Sequence, residues 1–292
     1  MTDIRQSPPF ADFMKNLGWK SKKIGGQIAY LRKFPFAGYF AKMPRPSRIP
    51  EILEINSFRK KNRVFQFKIA PNLPTSDSSY AKVKLRLLDS GYKIDSIPFN
   101  PVTDIRFNLT KSEDEIFHAF SEAKRRGVRR AINNGITVRE SDDIGNFIKI
   151  RWKQYGLFGF LVTAEMKPLW KAFYPKNGTL LLAYQEHRPE SDQSIIINNP
   201  TKPLAGIFML YYNHRAYYWY ASALRIGKKL FAPTLLVWEA IKLAKKKGCK
   251  QFYFEGICDD RFPKASESWK GFTKFKEGFG GEKIIYSENF ST

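Results

Sequence analysis

The chain has 292 residues, enough for one large domain or two ordinary ones around a buried core. Hydrophobic residues make up 43% and aromatics 15%, which excludes a disordered chain, and no apolar run approaches the ~18 residues of a membrane span. A net charge of +23 calls for an anionic counter-partner: nucleic acid, an anionic membrane face or a phosphorylated substrate, with a solubilising surface as the plain alternative.

The start, "MTDIRQSPPFADF", has no apolar h-region, so no signal peptide is expected. The stretch "FPFAGYFAKMPRPSRIPE" packs three prolines into seven residues and is expected as a stiff loop. It would present Tyr39, Phe40, Lys42 and Arg45, a basic and aromatic set able to grip a phosphate and stack on a ring. An ordinary proline-rich connector fits equally well. "NRVFQFKIAP" and "TDIRFNL" alternate as strands do, and "SYAKVKLRLLDSGYKI" between them reads as a helix closed by Gly91. In "FNLTKSEDEIFHAFSEAKRRG", Ser112 and Glu115 form a capping box, and Ile116, Phe117 and Phe120 make an apolar stripe. One helix is expected to run on into "KRRGVRR", the densest cationic cluster: Lys124, Arg125, Arg126, Arg129 and Arg130. Gly127 is a candidate interruption and Gly135 the stop.

"DDIGNFIKIRWKQYG" and "AEMKPLWKAFY" read as helices. "GTLLLAYQE", "LAGIFMLYYNHR" and "AYYWYASA" read as a three-stranded meander, with "HRPESDQSIIINNPTK" as a long polar loop after the first strand. "APTLLVWEAIKLAKKKG" is a strong helix, with Pro233 in its first turn and lysines crowding its end. "KQFYFEGI" and "EKIIYS" close the chain as strands. Meander, helix, strand, short helix and final strand is the order of an N-acetyltransferase-like (GNAT) fold. The class expected is α+β in two halves, residues 1–141 and 142–292, the last ~15 residues being candidates to pack back on the first.

Cys249 and Cys258 make no disulfide framework, and with His118, His187 and His214 they show no metal-ligand spacing. The chain lacks a P-loop, a nucleophile elbow and a dinucleotide fingerprint. A soluble, reduced, cytoplasmic protein without cofactor or metal is expected. An acyl-CoA enzyme needs a glycine-rich turn before the long helix; here "LRIGKKLFAPTLL" offers only Gly227, then bulky Leu230 and Phe231. Arg225, Lys228 and Lys229 are candidates to receive a phosphate there, or plain solvated residues. In "GFTKFKEGFGG", Phe272, Phe275 and Phe279 recur at helical spacing and Lys276 sits among them. Lys276 is either a snorkelling cation or one placed to meet developing negative charge.

Five stretches together resemble the FemABX family of peptidoglycan bridge-forming aminoacyltransferases: "FADFMKNLGWK", "YFAKMPRP", "KRRGVRRAINNGITV", "YASALRIGKKLFAPTLLVWEAIKLAKKKG" and "FEGICDD…GFTKFKEGFGGEKIIY". They come in family order and span nearly the whole chain. The resemblance implies two GNAT-like domains. It implies transfer of an amino acid from aminoacyl-tRNA to the peptide stem of a UDP-linked or lipid-linked peptidoglycan precursor, with no cofactor. The basic surface, for its part, would favour peripheral contact with the anionic inner membrane face. The resemblance also implies that Phe275 and Lys276 match the family's Phe-Lys pair, Lys276 stabilising the oxyanion, and that Lys42 and Arg45, with Tyr39, face the precursor's diphosphate. The basic helix from Lys124 to Arg130 would meet tRNA. Glu255 and Asp259 are candidates for the base, alongside the tRNA ribose hydroxyl. Departures are Tyr253, where many relatives have an acidic or amide residue, Thr234 in place of an aromatic, and the lack of a coiled-coil arm. The alternatives are a GNAT-fold acyltransferase using acyl-CoA or acyl carrier protein on a cell-surface sugar or amine, and a basic RNA- or membrane-binding protein on an inactive scaffold.

Overall fold

The computed structural model describes residues 2–186 and 202–292. His187 and all of the polar insert except Lys202 lie outside the described residues. The chain forms two compact units.

The first unit comprises residues up to Ile105, with Gly256–Lys274 and Glu282–Thr292. Its strands are β1 (Lys20–Ile24), β2 (Gln27–Phe34), β3 (Gly38–Pro44), β4 (Val64–Ala70) and β5 (Lys93–Ile94). The first three form an antiparallel meander. The helix Ile52–Lys61 then crosses over and makes β4 parallel to β3. The first α-helix is Pro8–Asn16: the Ser7 side chain accepts from Phe10 N, and two prolines occupy the first turn, where no N–H is needed. Gln6 fastens it to the sheet, donating to Ile28 O at 3.0 Å and Pro44 O at 2.7 Å.

The second unit comprises Arg106–Glu255 and Phe275–Gly281. Its strands are β6 (Thr103–Asn108, whose first residues count with the first unit), β7 (Ile136–Ser141), β8 (Gly178–Gln185), β9 (Ala205–Tyr212), β10 (Arg215–Ala223) and β11 (Gln251–Tyr253). They run side by side in the order β6-β11-β10-β9-β8-β7. β8, β9 and β10 are the expected meander, and the helix Ala232–Lys246 makes β11 parallel to β10. Six consecutive residues of β8 and six of β9 are buried, so these strands read as apolar runs rather than alternations. Each unit thus repeats one plan: a three-stranded meander, a crossover helix and a parallel fourth strand. This is the two-fold GNAT-like α+β architecture expected from the sequence. After Gly281 the chain forms β12 (Glu282–Ile285) and β13 (Phe290–Ser291). β13 lies antiparallel between β4 and β5, so the C-terminus completes the first unit's sheet.

The border expected at 141/142 falls inside the second unit. β6 and β7 precede it, yet they pair with β11 and β8, partners far away in sequence.

Local expectations change in four places. The "YFAKMPRP" stretch is mostly strand β3, not a loop; only its end leaves the sheet. The helix beginning at Glu113 stops at His118, and a second runs from Glu122 to Asn133. The break is at Ser121, whose N–H donates to Gly278 O at 2.8 Å, whereas Gly127 lies within the second helix against Thr234. Arg225–Lys229 is a short helix rather than a loop. The "KQFYFEGI" strand ends at Tyr253.

Candidate active site

β10 and β11 pair at only three positions, ending at Tyr217 with Tyr253. β10 then bulges between Tyr218 and Tyr220 and continues along β9 to Ala223, while the other chain leaves the ladder. Phe254 is fully buried, and Glu255 turns the backbone left-handed at φ 59°. Parallel strands that part at their carboxyl ends form the crevice where open α/β sheets place ligands.

Lys276 reaches into this parting. Its side chain is 7% exposed and its Nζ donates to Phe254 O at 2.8 Å. The same nitrogen lies 5.7 Å from the Tyr218 ring centre and 5.8 Å from that of Phe254. Phe279, buried, packs on Phe254 and edge-on against Phe275 and Phe120. A lysine this buried is rare unless something holds its charge. Here a carbonyl and aromatic faces do so. Burial pushes the Tyr218 hydroxyl well above the ordinary tyrosine range, so it stays protonated.

The turn after Lys276 is built for close approach. Gly280 has φ 80°, and a Cβ there would stand 2.6 Å from Ala119 O. A Cβ at Gly278 would stand 2.7 Å from Cε of Lys124. Lys124 thereby lies across this turn, its Nζ 3.8 Å from the Phe275 ring centre and 4.9 Å from that of Phe279. Burial lowers its pKa from 10.5 to about 8. Sequence reasoning placed Lys124 among tRNA contacts; the structure sets it beside Phe275. Tyr218 and Phe254 were missed because no local signal marks them; only the parting of two strands brings them to Lys276.

The other candidates sort by exposure. Arg125 is turned back on its own chain, donating to His118 O at 2.8 Å and Phe120 O at 2.7 Å. Arg126, paired with Glu122, and Arg129 and Arg130 are exposed. Arg225, Lys228 and Lys229 are exposed on their short helix. Gly227 is packed against Leu204, where a Cβ would meet the backbone oxygen at 2.7 Å. In the first unit, Tyr39 and Lys42 lie half-buried on β3, with Lys42 Nζ 4.5 Å from the Trp19 ring centre. Arg45 is 5% exposed, stacks 3.7 Å over Tyr286 and donates to Pro71 O and Pro101 O. Asp259 is saturated by Arg261 and Thr103; burial alone would raise its pKa, but these partners hold it below the usual carboxylate range, which makes it a poor base. His118 and His214 each lie against a backbone carbonyl. Burial pushes the Cys249 thiol up to about 11. Among the described residues no three His, Cys, Asp or Glu gather as metal ligands would, and no helix is long and apolar enough to cross a membrane.

Residues 180–290, which contain β10, β11 and Lys276, match the model of the FemAB family. The similarity to the FemAB family thus lies in the part of the chain that holds the parting of β10 and β11. The chain's fold is similar to the crystal structure of FemX, with a TM-score of 0.77 at 15% identity over 99% of this chain and 92% of that one. It is also similar to the C-terminal domain of a putative lysylphosphatidylglycerol synthetase from Agrobacterium fabrum (TM-score 0.60, 11% identity, 99% and 88% covered). A tandem GNAT protein from the clavulanic acid pathway shares the fold at TM-score 0.53 and 9% identity, with 92% and 80% covered. No curated protein sequence matches the chain.

Proposed function

We propose that this chain is an aminoacyltransferase of the FemAB kind, which moves an amino acid from aminoacyl-tRNA to the peptide stem of a peptidoglycan precursor, UDP-linked or lipid-linked. The observation that carries the reading is the placement of Phe275 and Lys276 at the parting of β10 and β11, with Lys276 Nζ on Phe254 O. In this reaction the acceptor amine attacks the ester carbonyl, a C–N bond forms and the carbonyl oxygen becomes an oxyanion. Collapse breaks the C–O bond to the ribose, whose oxygen takes the proton the amine loses. The Lys276 ammonium lies in surroundings walled by Tyr218, Phe254 and Phe279, where positive charge acts on an oxyanion through a low dielectric. The exposed Arg126, Arg129 and Arg130 suit tRNA phosphates. Both substrates are polyanions, in keeping with a net charge of +23. Charged tRNA places the reaction in the cytoplasm.

The test mixes the protein with a UDP-linked muropeptide and either labelled aminoacyl-tRNAs or labelled acetyl-CoA. Label should move from tRNA. Transfer from acetyl-CoA alone overturns the proposal in favour of an ordinary acyltransferase. Lys276→Met should lower kcat ~10²–10³-fold with little change in KM. A raised KM with kcat intact would remove Lys276 from the transition state.

A further inference from the structure

One surface of the second unit has no role in the site above. Between Trp152 and Leu161, six large apolar side chains face solvent: Trp152, Tyr155, Leu157, Phe158, Phe160 and Leu161. Leu157 is 91% exposed and Phe158 68%. Together they offer roughly 600 Å² of mostly apolar surface, at the upper end of what a monomeric soluble protein leaves in water.

The segment is held firmly. The helix Ile144–Tyr155 buries Phe147 and Ile150 and turns through Gly156–Phe158 into the helix Gly159–Thr163. Gly159 is packed so tightly on Trp152 that a Cβ there would stand 2.7 Å from the indole. Thr163 donates to Gly159 O at 2.8 Å. Arg151 donates to Val162 O at 3.1 Å and to Ala221 O at 3.2 Å on β10, pinning the hairpin to the sheet. The apolar tip is therefore displayed by the fold.

Its surroundings are cationic. Lys149, Lys153, Lys167, Lys171 and Lys176 are all exposed, and Glu165 is the one acid between residues 149 and 176. Exposed aliphatic and aromatic side chains, a Trp and a Tyr among them, with exposed lysines on both sides in the chain, suit an anionic bilayer surface: acyl chains, interfacial belt and negative headgroups.

We propose that residues 152–161 are a membrane-docking tip that inserts into the headgroup region of an anionic lipid surface, with the flanking lysines on the phosphates. This holds for whichever reaction the chain performs. The probe is the full chain with vesicles of phosphatidylcholine alone or with 30% phosphatidylglycerol. Co-sedimentation should be at least tenfold stronger with the anionic vesicles and should fall with salt. Trp152 emission should shift to the blue on binding, a change missing in Trp152→Phe. The double variant Leu157→Ser/Phe158→Ser should lose binding at least tenfold with an unchanged melting midpoint, because both side chains already face water; Phe160→Ser/Leu161→Ser serves as a second variant should the first misfold. Binding that survives in a folded variant, or no binding to either vesicle, overturns the proposal. So does a dimer that the same double variant dissociates, since the tip would then cover a second copy of the chain.

Discussion

Gly278→Ala is expected to move Lys124 without unfolding the turn. The added Cβ would stand 2.7 Å from Cε and 3.2 Å from Cγ of Lys124, atoms of a side chain that can swing outward. Gly278 does not use a left-handed φ, so alanine meets no backbone strain. Moving the ammonium off Phe275 and Phe279 removes ~0.5–2 kcal/mol of cation–ring attraction. It also relieves desolvation. A fall from 10.5 to about 8 would correspond to ~3 kcal/mol in a dry site, and half exposure with screening brings this to ~1–2 kcal/mol. The two nearly cancel, so stability at pH 7 should change by less than ~1 kcal/mol. The titration should change instead. Below pH 8 Lys124 is protonated in both states and the folded protein bears the whole desolvation cost. Between about 8 and 10.5 the folded lysine is neutral while the unfolded one is charged, so wild-type stability rises with pH across that window. The alanine variant should lose that rise. The assay is NMR titration of ¹³C-methylated lysines, with Lys124 assigned through Lys124→Met, alongside urea unfolding at pH 7 and 10. A wild-type midpoint near 10.5, or a midpoint that stays near 8 in the variant, would refute the packing of Lys124 described above.

Other outcomes follow from the same geometry. Gly280→Ala should cost ~1–3 kcal/mol, because φ is 80° and Ala119 O stands 2.6 Å from the new Cβ; an unchanged urea midpoint would count against a rigid turn. Arg45→Ala should destabilise the first unit by ~2–4 kcal/mol through lost stacking and carbonyl contacts. If it instead raises KM for the UDP-linked precursor with stability intact, Arg45 faces the diphosphate as the resemblance implied. Glu288 is held below the ordinary carboxylate range: burial pulls its pKa up, but Lys84 at 2.6 Å and Tyr80 outweigh it. Its contribution is present above pH 4.5 and lost as pH falls through the folded value, so Glu288→Gln should flatten the acid limb of the stability curve. An acid limb identical to wild type would show that the Lys84 pair carries no weight.

Much of the architecture was legible because its signals are local. The capping box at Ser112, Pro233 in the first turn of the long helix and the apolar runs of the meander each depend on neighbours a few residues away. The order of elements then identified the GNAT-like plan. Where local signals competed, tertiary contacts decided. Gly127 looked like a helix break, yet the helix runs through it because Thr234 packs there, and the break went to Ser121, whose N–H meets Gly278 O.

The sequence by itself determined that Phe275 and Lys276 occupy a helix ended by glycines, since spacing and residue type are local properties. Only the tertiary structure decided what that lysine touches. Tyr218 lies on β10 and Phe254 directly follows β11, two strands joined by a long crossover, and both face Lys276 because parallel β10 and β11 part after three pairs. The basic cluster shows the same division. Its charge was plain from composition, but Lys124 went inward to Phe275, Arg125 went to carbonyls of its own chain, and Arg126, Arg129 and Arg130 stayed in water. A helix turns its side chains around its axis, and which of them are buried depends on what packs against each face.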